Sequence, residues 1–82
     1  MENYEMLLIK IDSRTKNAQV VQSLLTEYGC NIKVRLGLHE AGSVCSSSGL
    51  IILQLAGEEK TLDDFTDRLS MIDGVTAKRI SI

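Results

Sequence analysis

The segment from Cys30 to Leu55 constrains the fold most, because it holds two strand patterns separated by an irregular stretch. In residues 30–39 apolar side chains alternate with residues that are polar or glycine. A period of two is typical of a strand with one buried face. Residues 49–55 begin with glycine and are apolar in both phases, which favours a central strand covered on both sides. The segment therefore predicts strand, loop and strand, with Glu40 to Ser48 as the loop.

The alternation also predicts which side chains of the first of these strands are buried. Its apolar phase is expected to face the core, and this phase comprises Cys30, Ile32, Val34, Leu36 and Leu38. Lys33, Arg35 and His39 belong to the other phase and should face the open side of the sheet. Cys30 and His39 are therefore expected on opposite faces.

The remaining elements follow from similar patterns. Residues 6–11 form a short apolar run that predicts a central strand. Apolar residues at helical spacing between Val20 and Tyr28 predict a helix, with Gly29 as a left-handed C-terminal cap. A second helix is expected after an N-cap at Thr61 and before Gly74. Residues 75–82 change phase between their two halves, which predicts an edge strand with a bulge.

The resulting order, βαββαβ, contains two halves that resemble each other. Gly29 and Gly74 each follow a helix, and at the same offset Val20 matches Phe65 and Leu24 matches Leu69. Two split βαβ units predict a ferredoxin-like α+β sandwich: a four-stranded antiparallel sheet with two helices on one face. Residues 1–82 suffice for one domain of this kind.

The sheet face without helices is the first functional indication. Its centre is expected to carry Met6, Leu8, Leu50 and Ile52. A solvated face would be polar, so four adjacent aliphatic side chains indicate an interface, most simply with another copy of the chain. The sequence predicts a homo-oligomer, dimer or tetramer, joined through this face or by pairing of sheet edges.

Composition narrows the function classes. The formal net charge is −2 with both signs interspersed, so no basic run favours direct nucleic-acid binding. The chain contains no stretch of about 18 apolar residues that could span a membrane. It also shows no secretory signal pattern, so a cytoplasmic location with reduced thiols is expected.

Several short motifs resemble a known family. Leu25 to Gly29, Arg35 to Leu38, the glycine-led strand at Gly49, and Leu69 to Lys78 are similar to the iron-only hydrogenase system regulators. Those are small ACT-like proteins with a ferredoxin-like fold, also similar in architecture to the C-terminal domain of the nickel-responsive repressor. The likeness covers nearly the whole chain and implies a regulatory, ligand-sensing protein.

The chain departs from these families at two places. Residues 39–48 replace the tight, proline-containing connection that is usual in the hydrogenase regulators. Asp12 to Thr15 lack the glycine that amino-acid-binding ACT domains usually carry after the first strand. The missing glycine counts against amino-acid binding. If the chain binds a small molecule or a metal, the expected place is near residues 39–48, at a subunit boundary, and the identity of the ligand is open.

His39 and Cys45 flank that loop and are the candidate metal ligands. Imidazole and thiolate together suit nickel, copper or zinc, and the nickel-responsive repressor draws His and Cys ligands from the corresponding region. Two ligands are too few, so the others would come from a partner subunit. An enzyme with Cys45 as nucleophile and His39 as base is the rival, although no orienting third residue is evident.

Two further interpretations stay open on the sequence. Lys33, Arg35, Lys78 and Arg79 could bind an anion, although such charges are more often solvated strand faces. The chain could also be an accessory subunit that only binds a protein partner. The favoured interpretation is a non-enzymatic regulator in which ligand binding shifts the arrangement of subunits.

Overall fold

The computed structural model describes residues 3–12, 17–38 and 49–82, which form a four-stranded antiparallel sheet and two α-helices. The strands are β1 (Glu5–Ile11), β2 (Ile32–Leu38), β3 (Gly49–Leu55) and β4 (Val75–Ser81). The helices are α1 (Ala18–Glu27) and α2 (Glu59–Ser70), and a 3-10 helix, Gly29–Asn31, leads from α1 into β2. The strands lie in the order β2-β3-β1-β4. The predicted ferredoxin-like fold, with β1 and β3 in the centre, is confirmed.

The core lies between the helices and one face of the sheet. Leu7 and Leu53 face it from the central strands, and the side chain of Phe65 on α2 is fully buried. The ring of Phe65 stacks on Tyr28, with 4.4 Å between ring centroids. All the strand residues in this core share one phase, so both helices cover the same face. Buried apolar residues from β1, β3, β4 and both helices form one cluster: Leu7, Ile9, Val21, Leu24, Leu25, Ile51, Leu53, Leu55, Leu62, Phe65, Leu69 and Val75.

The helix ends differ from the predicted caps. α1 ends at Glu27, and Gly29 lies in the 3-10 helix without a positive φ, so the predicted left-handed cap is wrong. The backbone instead tightens by one residue, with the amide of Asn31 donating to the carbonyl of Tyr28 at 2.8 Å. Thr61 lies within α2, which begins two residues earlier, so its predicted role as N-cap is also wrong. Gly74 follows α2 with a φ of 81°.

Strand β2 departs most from the prediction. Ile32 pairs with Leu55, and Val34 pairs with Gln54. Over this step β2 moves forward by two residues while β3 moves by one, so β2 contains a β-bulge with one extra residue. A bulge of this kind inverts the phase of everything that follows it. Val34 and Leu36 therefore share the helix-free face and are 54% and 51% exposed. The prediction that they face the core is wrong.

The same bulge relocates the neighbouring polar residues. Arg35 faces the helices, where its Nη2 donates to Oε1 of Gln22 at 3.0 Å, so the prediction that it faces the open side is wrong. Cys30 lies in the 3-10 helix and is exposed, so the prediction that it faces the core is wrong. It precedes β2, so strand alternation does not govern its direction.

Strand β4 is an edge strand, as predicted, but it carries no bulge. Its pairing with β1 is continuous from Val75 opposite Ile11 to Ser81 opposite Glu5. The phase change in the sequence means that the apolar residues of the first half of β4 face the core, whereas those of its second half face the helix-free side. Ala77 packs against the core cluster, whereas Ile80 pairs with Met6 and faces the helix-free side.

Candidate functional site

The helix-free face of the sheet is the candidate site, and strand register determines which side chains meet there. Met6 lies between Gln54 and Ile80, and Leu8 lies between Ile52 and Lys78. On the outer side of β3, Val34 is opposite Gln54 and Leu36 is opposite Ile52. The four residues predicted for an interface, Met6, Leu8, Leu50 and Ile52, therefore do lie on this face, and their role as an interface stays a prediction.

The apolar residues of this face form a continuous band, which we name the diagonal stripe. It crosses the strands from one corner of the sheet to the opposite corner, and several members are strongly exposed, Leu36 to 51% and Ile82 to 73%. Tyr4 and Ile82 extend it beyond the last paired rows, since each backbone amide donates to the other residue's carbonyl. The diagonal stripe comprises Leu50, Leu36, Ile52, Val34, Leu8, Met6, Ile80, Tyr4 and Ile82.

The two corners beside the stripe are different. One carries Lys10, Thr76 and Lys78, all exposed, and we name it the basic corner. A cavity of about 180 Å³ lies there, between the end of β1 and the start of β4. The opposite corner has a larger cavity of about 310 Å³ at the end of β3, and we name it the β3 cavity. Its lining includes Tyr4, Glu5, Lys33, Gln54, Ala56 and Gly57.

Beside the β3 cavity, the segment that leads into β2 comes close to the segment that follows β3. Asn31 Nδ2 donates to the carbonyl of Ala56 at 3.0 Å, and the amide of Ala56 donates to the carbonyl of Asn31 at 2.8 Å. Gly57 adopts a φ of 142°, and a Cβ there would clash with Nδ2 of Asn31. This pair of hydrogen bonds ties the start of β2 to the end of β3, next to the bulge.

The helix side of the sheet is organised by ion pairs. The side chain of Arg79 is only 15% exposed and contacts Glu5 at 3.4 Å, Asp63 at 2.5 Å and Glu59. Desolvation lowers the pKa of Arg79, but the hydrogen bond to Glu59 and the three carboxylate charges outweigh it, so its pKa is raised. Arg79 is thus committed to carboxylates of its own chain.

Arg68 forms a second, more exposed ion pair, which connects the two helices. It contacts Glu27 at 2.5 Å and donates to the hydroxyl of Tyr28 at 3.1 Å. Its pKa is raised, first by the hydrogen bond to Glu27 and then by that to Tyr28. The guanidinium also lies 5.6 Å from the centre of the Tyr28 ring. This contact joins the two helices over the Tyr28–Phe65 stack.

The structure separates the four basic residues that the sequence offers for an anion site. Arg35 and Arg79 face the helices and have partners there, whereas Lys78 belongs to the helix-free face. Lys33 lies at the bulge and lines the β3 cavity. The structure thus does not bring these residues together as one anion site.

The predicted metal ligands His39 and Cys45 lie outside the described residues, as does the loop expected to hold an effector. Within residues 3–12, 17–38 and 49–82, no three His, Cys, Asp or Glu side chains come together as a metal site. Metal binding by His39 and Cys45 therefore stays a prediction. Elemental analysis of the purified protein beside the His39→Ala, Cys45→Ala double variant tests it directly.

Sequence reasoning misses five of the nine members of the diagonal stripe. It assigns Val34 and Leu36 to the core because nothing in the alternation of β2 signals the bulge. Ile80 and Ile82 do leave a signal, because their phase differs from that of Val75, but a bulge in β4 would explain that difference equally well. The face is more apolar than the sequence predicts.

Comparison with known proteins shows the fold. No family model and no curated protein matches the chain. Among solved structures, an uncharacterised protein of Thermotoga maritima is 24% identical, with a TM-score of 0.84 and coverage of 99% of both chains.

Two further structures belong to proteins described as PII-like. A PII-like signalling protein of Thermus thermophilus is 14% identical, with a TM-score of 0.64, over 98% of this chain and 87% of the other. The apo form of a nitrogen regulatory PII-like protein from Thiomonas intermedia is 16% identical, with a TM-score of 0.51, over 99% and 92%. The chain therefore shares its ferredoxin-like architecture with PII-like signalling proteins.

Neither described helix has both the length and the apolar character needed to cross a lipid bilayer.

Proposed function

We propose that this chain is a small regulatory protein that works as a homodimer, with the diagonal stripe as its interface and an effector bound near residues 39–48. The continuity of the stripe is the observation that carries the proposal. Seven of its nine members come from the four strands and are adjacent in register, and Tyr4 and Ile82 continue it through their backbone hydrogen bonds, so they form one patch rather than scattered exposed side chains. Likeness in fold to PII-like signalling proteins supports a regulatory role.

The size of the face fits a moderate affinity. Four strands about 4.8 Å apart, each seven residues long with a rise of about 3.3 Å, make a face of roughly 19 by 23 Å. Two such faces would bury roughly 900 Å² of projected area. The accessible surface that they bury is larger than this, because the side chains make each face uneven. Stable specific interfaces start near about 1,200 Å². We therefore expect a dimer that dissociates in the micromolar range.

Sedimentation velocity over a range of protein concentrations tests the proposal. The wild-type chain should sediment as a dimer at tens of micromolar, and Ile52→Lys should weaken association by about a hundredfold because it buries an unpaired charge. Met71→Lys is the matched control, since Met71 is 84% exposed at the end of α2, away from the sheet face. A wild-type chain that stays monomeric throughout this range would remove the basis of the proposal.

The finer part of the proposal is that the regulated process is an iron-only hydrogenase system. Its support is the resemblance of Leu25 to Gly29, Arg35 to Leu38 and Leu69 to Lys78 to that family. Deletion of the gene should change hydrogenase activity in the host, and the wild-type gene should restore it while the Ile52→Lys gene should not. Unchanged hydrogenase activity in the deletion strain would separate this chain from that system.

A further inference from the structure

The shape of the diagonal stripe constrains how a second copy can lie on it. If two copies packed with their strands aligned, a two-fold axis would run either along the strands or across them. An axis along the strands would place Lys78 on Leu36 of the partner subunit. An axis across them would place Lys78 on Ile80 of the partner subunit. Both arrangements bury a lysine against an aliphatic side chain and leave part of the stripe exposed, which is costly.

Crossed strands avoid this cost. Two packed sheets prefer either nearly aligned or nearly perpendicular strands. With perpendicular strands, a diagonal stripe can lie on its own copy along its full length. This leaves two choices of axis. An axis perpendicular to the stripe places the basic corner on the partner's basic corner, where like charges repel.

The remaining axis runs along the stripe and exchanges the two different corners. The basic corner of one copy then lies over the β3 cavity of the other. Lys78 projects from the row next to Leu8, and its counterpart across the interface is the surface between Gln54 and Ala56. The amide oxygen of Gln54 can accept a hydrogen bond from an ammonium group. The cavity, of about 310 Å³, also offers space for the long side chain, and its lining carries one carboxylate, that of Glu5, beside one ammonium group, that of Lys33.

We propose that two copies stack face to face with their strands crossed at nearly a right angle, about a two-fold axis along the diagonal stripe. In this arrangement Met6 meets the partner's Met6 and Ile52 meets the partner's Ile52. The partner's Lys78 occupies the β3 cavity beside Gln54. The inference rests on the proposed self-association and specifies its geometry.

Cysteine cross-linking tests the axis. In a Cys30→Ser, Cys45→Ser background, Met6→Cys and Ile52→Cys should each form covalent dimers with a short dimaleimide, because each faces its own copy. Thr76→Cys, on the same face but far from the axis, should remain monomeric on a denaturing gel. Rapid cross-linking of Thr76→Cys, or of Met6→Cys only when mixed with Ile52→Cys, would overturn the proposed axis.

Charge substitutions at Ala56 provide an independent test with opposite signs. Ala56→Glu should lower the dimer dissociation constant about threefold to fivefold, because Ala56 lines the β3 cavity and the new carboxylate would face the partner's Lys78. Ala56→Lys should raise the dissociation constant. In the three other arrangements the position of Ala56 faces the partner's Tyr4, Leu50 or Val34, so both substitutions would weaken the dimer. Weakening by Ala56→Glu would therefore contradict the crossed geometry.

Different results would refute self-association and the crossed arrangement of the two copies. A monomeric wild-type chain refutes self-association itself. If Ile52→Lys dissociates the wild-type dimer, but Met6→Cys does not cross-link and Ala56→Glu weakens association, the homodimer stands and only the crossed arrangement is refuted.

Discussion

Leu36 on β2 lies directly opposite Ile52 on β3, and both side chains face away from the helices. This pairing depends on the register shift between Ile32 and Val34, since without it Leu36 would belong to the core phase. The bulge therefore converts an edge strand with a polar outer face into one that extends an apolar surface. An exposed apolar edge is a liability in a monomer, and it has a use when a second copy covers it.

The first prediction uses two neighbours on opposite faces of β2. Leu36→Lys should weaken the dimer about as much as Ile52→Lys, by about a hundredfold, because both place an unpaired charge in the interface. Arg35→Ala should leave the dissociation constant nearly unchanged, since Arg35 faces α1 and bonds Gln22. Sedimentation equilibrium measures both. The reverse ranking would mean that the bulge is absent in solution and that the simple alternation of β2 is correct.

The sequence is sufficient for the architecture because its strongest signals are local. β1 and β3 are apolar in both phases, which favours central strands, and right-handed crossovers of two split βαβ units place the same two strands in the centre of the sheet. The sequence is not sufficient to predict the register of β2. The bulge sits beside reciprocal hydrogen bonds between Asn31 and Ala56, which are 25 residues apart. Pairing across such a distance leaves no mark in the alternation of either strand.

The candidate site follows the same division. The part of the diagonal stripe on β1 and β3 is predictable from the sequence, and its extension onto β2 is not, because only the long-range pairing reveals the phase of Val34 and Leu36. The loop candidates His39 and Cys45 depend on segments outside the described residues, so their proximity stays a prediction.

The second prediction concerns the turn after β3. Gly57→Ala should destabilise the fold by about 1–3 kcal/mol, because a φ of 142° is unfavourable for a residue with a Cβ. The new methyl group would also displace the side chain of Asn31. Urea unfolding followed by circular dichroism measures the loss.

Gly29 is the matched control for this substitution. It has no positive φ, and a Cβ there would meet no atom within 4 Å. Gly29→Ala should therefore be neutral or stabilise the fold by about 0.5 kcal/mol through the unfolded state. A large loss at Gly29 together with none at Gly57 would contradict the backbone described for these two turns.

The third prediction compares two arginines that both bind carboxylates. Arg79→Gln should destabilise the fold by about 1–2 kcal/mol, because it removes three contacts of a side chain that is only 15% exposed. Arg68→Gln should cost less, because Arg68 and Glu27 are both about half exposed and solvent screens their attraction. Thermal unfolding of the two variants gives the order. Equal losses would mean that the burial of Arg79 adds nothing.

The fourth prediction addresses the centre of the core. Phe65→Ala should destabilise the fold by about 3–5 kcal/mol, because it opens a cavity under α2 and removes the stacking on Tyr28. Phe65→Leu should recover a large share of this loss by refilling the space. Met71→Ala serves as the surface control and should change stability by less than about 0.5 kcal/mol. Comparable losses at both positions would indicate that Phe65 is not the packing centre.

The last prediction joins folding to association. If the diagonal stripe is buried only in the dimer, association stabilises the folded chain by mass action, so the urea midpoint of the wild-type protein should rise with protein concentration. The Ile52→Lys variant should have a midpoint that is independent of concentration over the same range, because its chains unfold as monomers. Far-ultraviolet circular dichroism at three concentrations a factor of ten apart measures the shift. Met71→Lys should follow the wild type, since its substitution lies away from the sheet face. A concentration-independent wild-type midpoint would mean that this apolar surface faces water in the native protein.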